Sequence, residues 1–268
     1  MSGGASGGAS LPGSEGGTFP EGLGGSLEAG ASNRGGSGAT GCDESFCIGL
    51  GRCYVGDASG TCPRTCQFDA SPMTDEDVEA LAALRCDVLD GTLQVDSRDV
   101  SSLAGLETIR VVTGSVLISR TTAPDLSGLS GLSRVGGALE VHQNDTNLAV
   151  ELPALSAVVG QLTFVALPSL DHIFLPALNT VGGLMIVACD ALTELKADAL
   201  QATTGGLNVA LNPKLSTLHG LPALTSIEGS ISVRKNPALA QCEVDDVLVR
   251  AGRGCDGCDG NDATAVCP

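Results

Sequence analysis

The sequence predicts a mainly β fold: a parallel β-solenoid of about seven coils of ~23 residues, with short capping helices and disulfide-stapled ends. Three observations carry that prediction. A motif, Gly-x-Leu-x-Val or a close variant, returns from Gly91 to Val233 with intervals of 23, 23, 23, 22, 23 and 24 residues between its glycines. Self-similarity at that period marks coils that bury their apolar faces only against their neighbours. A second apolar set recurs with period three, as in Leu103-Leu106-Ile109, Leu129-Leu132-Val135, Leu152-Leu155-Val158, Leu175-Leu178-Val181 and Leu221-Leu224-Ile227. Finally, hydrophobic residues make up 43% of the chain but aromatic ones only 2%. A core filled by Leu, Val, Ile and Ala suits narrow coils stacked in register.

Residues 1–41 are mostly Gly, Ser and Ala, a composition that cannot repay the entropy of ordering and reads as a flexible linker. Gly22-Leu23-Gly24-Gly25 has no strand before it and no helix after it, so it is not a phosphate loop. Residues 42–72 hold Cys42, Cys47, Cys53, Cys62 and Cys66 between Gly- and Asp-containing turns and read as a small disulfide module. A zinc site would need paired Cys-x-x-Cys units or nearby histidines, which this segment lacks. Residues 73–86 read as a helix capping the first coil. Thr74 is its N-cap, Asp77 completes a capping-box variant, and the acidic first turn complements the dipole.

The coils occupy residues 87–242. In each, the Leu and Val of the motif are two apart and point inward from a short strand, while the residue between them points out. The period-three set fits neither a strand nor a helix and predicts a tightly turned return side. Residues 243–268 read as a C-terminal cap, a short helix over Glu243 to Ala251 followed by Cys255, Cys258 and Cys267. Cys86 is expected to pair within the N-terminal cysteine set and Cys242 within the tail, with Cys267 as its foremost partner. Cys189 alone lies in mid-solenoid, in the column held elsewhere by Asn144, Asn212 and Asn236, and is expected to be a free, buried thiol.

Eleven cysteines, ten of them clustered toward the two ends, point to an oxidising compartment. Met1-Ser-Gly-Gly-Ala-Ser has neither a basic n-region nor an apolar h-region. The expectation is therefore that the start shown lies downstream of an export signal, and that the chain is extracellular, periplasmic or attached to the cell surface. A formal charge of −17 argues against nucleic acid and anionic membrane surfaces as partners. No run of 18 uninterrupted apolar residues is present to form a transmembrane segment.

Four coils carry Leu-x-Val-x-x-Asn/Cys-x-x-Leu or a near variant: Leu139 to Leu148 with one extra residue, Leu184 to Leu192, Leu207 to Leu215 and Ile231 to Leu239. This resembles the leucine-rich-repeat pattern. The Gly-x-Leu-x-Val openings, the period-three returns and the Asn-Pro-x-Leu of the last two coils resemble, more specifically, receptor L-domains, the ligand-binding solenoids of insulin and epidermal growth factor receptors. The ending from Cys242 to Cys267 is similar to the version in secreted or surface-attached bacterial proteins. The resemblance covers roughly residues 86–268 and implies a right-handed solenoid, an extracellular setting and a binding role.

Parallel β-helices of similar coil length also carry pectin-degrading enzymes, which need converging carboxylates. Here the outward position between Leu and Val reads Gln94, Leu117, Glu140, Thr163, Met185, Asn208, Ser232, with a single carboxylate, so no acid/base pair is expected. His142, His172 and His219 occupy different places in their coils and read as solvated surface residues rather than stacked metal ligands. Cys255-Asp-Gly-Cys258 lacks a βαβ context and reads as a structural disulfide. Asp256, Asp259, Asn261 and Asp262 miss the calcium-loop spacing, and no metal or cofactor is expected. Asn144-Asp-Thr146 is a glycosylation sequon, meaningful only in a eukaryotic secretory host.

The expected ligand site is the corner just after the strands of the first three coils. It comprises Asp96, Arg98 and Asp99, then Arg120, then His142, Gln143 and Asp145, beside an apolar shelf of Val165-Ala166-Leu167 and Val187-Ala188. The expected role is recognition of an extracellular protein or glycan, without catalysis. The alternatives are a structural or adhesive spacer and, behind it, a polysaccharide-degrading β-helix enzyme.

Overall fold

Every Gly-x-Leu-x-Val segment forms a strand, and the strands stack in register. The structure, a computed structural model, describes residues 63–144 and 149–267, with the backbone of two short strands at Phe46–Ile48 and Arg52–Tyr54. The coil strands are Leu93–Asp96, Val116–Ser119, Leu139–His142, Ala157–Val165, Thr180–Val187, Leu207–Ala210 and Ile231–Arg234, referred to below by coils 1 to 7. Each pairs in parallel with the next, in matching register such as Leu93↔Val116↔Leu139↔Leu162↔Leu184↔Leu207↔Ile231. The inward residues of this ladder, among them Leu93, Val95, Leu139, Val141, Leu162, Phe164 and Val209, are fully buried. Each such side chain contributes roughly 1.5–3 kcal/mol by leaving water.

The period-three leucines form tight turns in which an N–H donates to the carbonyl three residues back: Leu106 to Leu103, Ile109 to Leu106, Leu129 to Leu126, Leu132 to Leu129 and Leu224 to Leu221. Such turns repeat every three residues, which is why the apolar period matches neither helix nor strand. A second parallel ladder follows them, from Val88–Leu89 through Val111–Val112 and Arg134–Val135 to Ser226–Ile227. A third, of Val150–Glu151, His172–Phe174 and Glu194–Lys196, lies on the return side of coils 3 to 5. The corner glycines keep the coils close. A Cβ on Gly182 would stand 2.2 Å from the Val159 carbonyl oxygen, and one on Gly114 would stand 2.6 Å from that of Gly91.

A buried polar spine runs along the solenoid. The side-chain oxygen of Asn144 accepts from Thr121 N–H, that of Asn212 from Cys189 N–H, that of Asn236 from Asn212 N–H and that of Asn261 from Asn236 N–H. Each amide nitrogen donates to the carbonyl of an earlier coil strand: Asn144 to Ile118, Asn212 to Ile186, Asn236 to Val209 and Asn261 to Val233. Cys189 fills the same column as the free cysteine among the described residues. Its thiol donates weakly, at 3.8 Å, to the Phe164 and Val187 carbonyls.

Both ends of the sheet are covered. Helix α1, Asp75–Ala83, has the Thr74–Asp77 capping box, and Val78 and Leu81 are buried beneath it. Asp75 ties it to coil 1 by accepting from the Ser101 and Ser102 backbone N–H groups and the Ser101 hydroxyl. The sheet itself begins ahead of the solenoid boundary expected at residue 73: Thr65–Cys66 pairs with Val88–Leu89, and Ala70 bridges to Leu93. Asp69 supports this partial coil by accepting from Thr92 N–H. Cys66 is bonded to Cys86, across this first turn.

At the other end, helix α2 spans Gln241–Ala251, starting two residues earlier than expected. The segment after it lies along coil 7, with Asp256 and Ile231 exchanging hydrogen bonds and Lys235 N–H donating to the Asp259 carbonyl. Arg253 donates to the carbonyls of Ile227, Glu228 and Gly229. These contacts satisfy the open edge that a last parallel strand otherwise presents. Disulfides join Cys242 to Cys267 and Cys255 to Cys258. The strands at residues 46–48 and 52–54 form an antiparallel pair with Cys47 opposite Cys53 in register. The expected linker over 1–41 and the pairing among Cys42, Cys47, Cys53 and Cys62 lie outside the described residues.

Candidate functional site

The corner after the coil strands has a repeating backbone. In coils 2 to 7 the residue following the strand is Arg120, Gln143, Ala166, Ala188, Leu211 or Lys235, and each has a left-handed φ between 54° and 61°. One residue further the chain dives inward, to Thr121, Asn144, Leu167, Cys189, Asn212 and Asn236, all buried. A left-handed conformation costs a non-glycine residue about 1 kcal/mol. The ladder offsets that cost, because these N–H groups donate to the next coil: Gln143 to Val165, Ala166 to Val187, Ala188 to Ala210 and Leu211 to Arg234. The sharp turn leaves the left-handed residue outermost, and the row it forms runs along one edge of the sheet.

In coils 1 to 3 this edge is polar. Asp96, Ser119 and His142 are in register across the ladder. Asp96 accepts from the Ser119 hydroxyl at 2.5 Å and from Arg120 Nε at 2.6 Å, while Arg120 Nη2 grips the other carboxylate oxygen. The Arg120 hydrogen bond, then that of Ser119, holds the Asp96 carboxyl below the usual carboxylate range, with a smaller favourable contribution from His142. The same pairing raises the Arg120 pKa. Arg98 and Asp99 lie in the exposed turn after strand 1. The Arg98 carbonyl accepts from the Thr122 hydroxyl, and Asp99 N–H donates to Ser97 Oγ. Gln143 is exposed beside the half-buried His142, and Asp145 lies outside the described residues. The structure therefore joins Asp96 to Arg120, with His142 next in the ladder.

In coils 4 to 6 the same edge becomes apolar. Val165, Val187 and Ala210 are in register, and Ala166 and Ala188 follow as half-buried small residues. Polar groups that fix an orientation thus adjoin an apolar surface that can be covered, a combination suited to binding.

The other candidates resolve differently. His172 departs from the expectation of a merely solvated histidine: its Nδ1 lies 2.7 Å from Asp171 and its Nε2 3.3 Å from Glu151 of the preceding coil. Glu151 and Asp171 are 20 residues apart in sequence, and only the coil brings them to one ring. His219 is exposed, 3.8 Å from Glu243. Asn144, the sequon asparagine, is fully buried with its amide committed to the spine, so the folded chain offers no acceptor nitrogen there. Asn261 continues the spine into the cap, and Asp256 and Asp262 accept from backbone N–H groups of Ile231, Thr264 and Ala265. Among the described residues, no group of three His, Cys, Asp or Glu side chains is arranged to hold a metal ion. No helix among them is long and apolar enough to cross a membrane.

Comparison with known proteins agrees with this geometry. The family described as Receptor L domain matches residues 85–173. A relative described as "Cell surface GPI-anchored protein", from Arthroderma benhamiae, is 25% identical over 161 residues, an alignment covering 53% of this chain and 41% of the relative. The chain thus spans less than half the length of that curated relative. No solved structure gives a significant match. Over residues 85–173 in sequence, and in the stacking of its parallel coils, the chain is similar to the receptor L-domain family.

Proposed function

We propose that this chain is a cell-surface recognition module that binds a protein or glycan through the edge of its coil sheet and performs no chemistry on it. The observation that carries the reading is the change of character along one continuous ladder. Asp96, Arg120, His142 and Gln143 give way within one coil step to Val165, Ala166, Val187 and Ala188, at the ~4.8 Å spacing of paired strands. A ligand laid across it meets orienting polar groups at one end and apolar surface at the other. The receptor L-domain match and the surface location stated in the relative's name support a role outside the cell.

One observation favours a second reading. Asp96 and Arg120 satisfy each other, as expected of a surface that serves as an inert spacer. Probing glycan and protein arrays with the full chain separates the two. Capture of a discrete ligand supports recognition; uniform absence of binding on both arrays, with the chain shown folded by circular dichroism, rejects it in favour of the spacer.

A further inference from the structure

On a chain of formal charge −17, cations are scarce, and three of them lie in coils 6 and 7, at or just after the far end of the corner row. Lys214, Arg234 and Lys235 are exposed, and among the described residues none of them makes a salt bridge. Arg234 ends the coil 7 strand in register with Ala210, and Lys235 takes the left-handed corner position that Leu211 takes one coil earlier. Lys214 follows three residues after Leu211, exposed in the turn beyond the buried Asn212. Asp259, whose carbonyl accepts from Lys235 N–H, forms no ion pair with it.

Leu211 itself is the second anomaly. It is 46% exposed, among few large apolar side chains so placed, and its φ is 61°. Its left-handed backbone is that of every corner from coil 2 to coil 7, so what sets it apart is the apolar surface it leaves open to a partner. We propose that Leu211, Lys214, Arg234 and Lys235 form a docking point for an acidic peptide segment of a partner protein, one that also carries an apolar side chain. The cations complement carboxylates and steer the encounter, and Leu211 supplies the apolar contact. A sulfated or uronic polysaccharide would use the charges but leave Leu211 without a role. This site is distinct from the polar corner of coils 1 to 3 and does not depend on it.

The test uses the full chain and three labelled probes, read by fluorescence anisotropy: a peptide rich in Glu and Leu, the same peptide with Leu replaced by Ser, and a heparin oligosaccharide. The Glu-Leu peptide is expected to bind more tightly than the Glu-Ser one, with affinity falling between about 50 and about 300 mM salt. The combined variant Lys214→Glu, Arg234→Glu, Lys235→Glu is expected to lose at least about tenfold in affinity. Leu211→Ser is expected to bring the two peptides level, and Arg120→Ala with His142→Ala to leave the affinity for the Glu-Leu peptide, though not for a ligand of the polar corner, unchanged. Wild-type affinity in the triple variant overturns the proposal. So does binding of the Glu-Leu peptide that responds to Arg120 and His142 instead, or a preference for heparin lost in the same triple variant. Should charge reversal impair folding, Arg234→Gln with Lys235→Gln carries the same test at smaller amplitude.

Discussion

Replacing Asn212 with Ala probes the buried spine between Cys189 and Asn236. Asn212 is fully buried; its Oδ1 accepts from Cys189 N–H at 3.0 Å, and its Nδ2 donates to the Ile186 carbonyl at 3.1 Å. The substitution leaves the buried Cys189 N–H without a partner, at about 1–3 kcal/mol, takes one hydrogen bond from the Ile186 carbonyl, at about 1 kcal/mol, and opens a small void. A total loss of about 4 kcal/mol is expected. With a urea dependence of about 2 kcal/mol/M, the unfolding midpoint moves down by about 2 M. Asn208 provides the control in the same coil. Its Oδ1 is buried with no hydrogen-bond partner, so Asn208→Ser is expected to stay within about 0.5 kcal/mol of the wild type. Urea titration followed by far-UV circular dichroism reads both. If Asn212→Ala loses less than about 1 kcal/mol, or no more than Asn208→Ser, the spine does not stabilise the coils as argued.

Three further outcomes follow from the same geometry. Burial pushes the Cys189 thiol up to about 12, so a thiol reagent at pH 8 is expected to leave it unlabelled in the native chain and to label it in urea; rapid native labelling would contradict its burial. Burial works against charging His172, but the hydrogen bonds its ring N–H groups donate to the Glu151 and Asp171 carboxylates outweigh it and raise its pKa above the ordinary value. The clasp therefore stabilises fully at pH below about 6.5, the unfolded value, and fades as pH rises through the higher folded pKa. His172→Gln is expected to destabilise at pH 5.5 and to approach the wild type at pH 9, and a pH-independent difference would refute the clasp. Cys242→Ser with Cys267→Ser opens a loop with a sequence separation of 25, worth about 3.5 kcal/mol in the loop-entropy model. Hydrogen exchange is expected to accelerate over α2, and unchanged protection there would show the bond to be unimportant.

The solenoid was legible in the sequence because each coil repeats its core positions, so that inward Leu and Val and the corner glycines report the period directly. The partial coil at Thr65–Ala70 was not, because Asp69 and Ala70 stand where the motif carries other residues; its membership rests on backbone pairing and on the Asp69 carboxylate. The place of Cys189 in the asparagine column followed from coil spacing alone, whereas Asn261 was missed because it joins that column from the cap. The polar corner was legible as a juxtaposition of coils. The direct pairing of Arg120 with Asp96, at a separation of 24, was not anticipated, although residues one coil period apart are natural candidates for such contacts. The His172 clasp and the cations beside Leu211 escaped notice because each group is unremarkable within its own coil.

The central claim, recognition through the polar corner and the apolar shelf beside it, is tested most directly by the affinity of corner variants for the partner returned by the arrays. Arg98→Ala, Arg120→Ala and His142→Ala combined, and separately Val187→Glu on the shelf, are measured by isothermal titration calorimetry alongside thermal unfolding. The account predicts that each variant loses at least about tenfold in affinity, or ~1.4 kcal/mol. The triple variant is expected to unfold near the wild-type temperature. Wild-type affinity in both would contradict the claim and leave the solenoid a spacer at this edge.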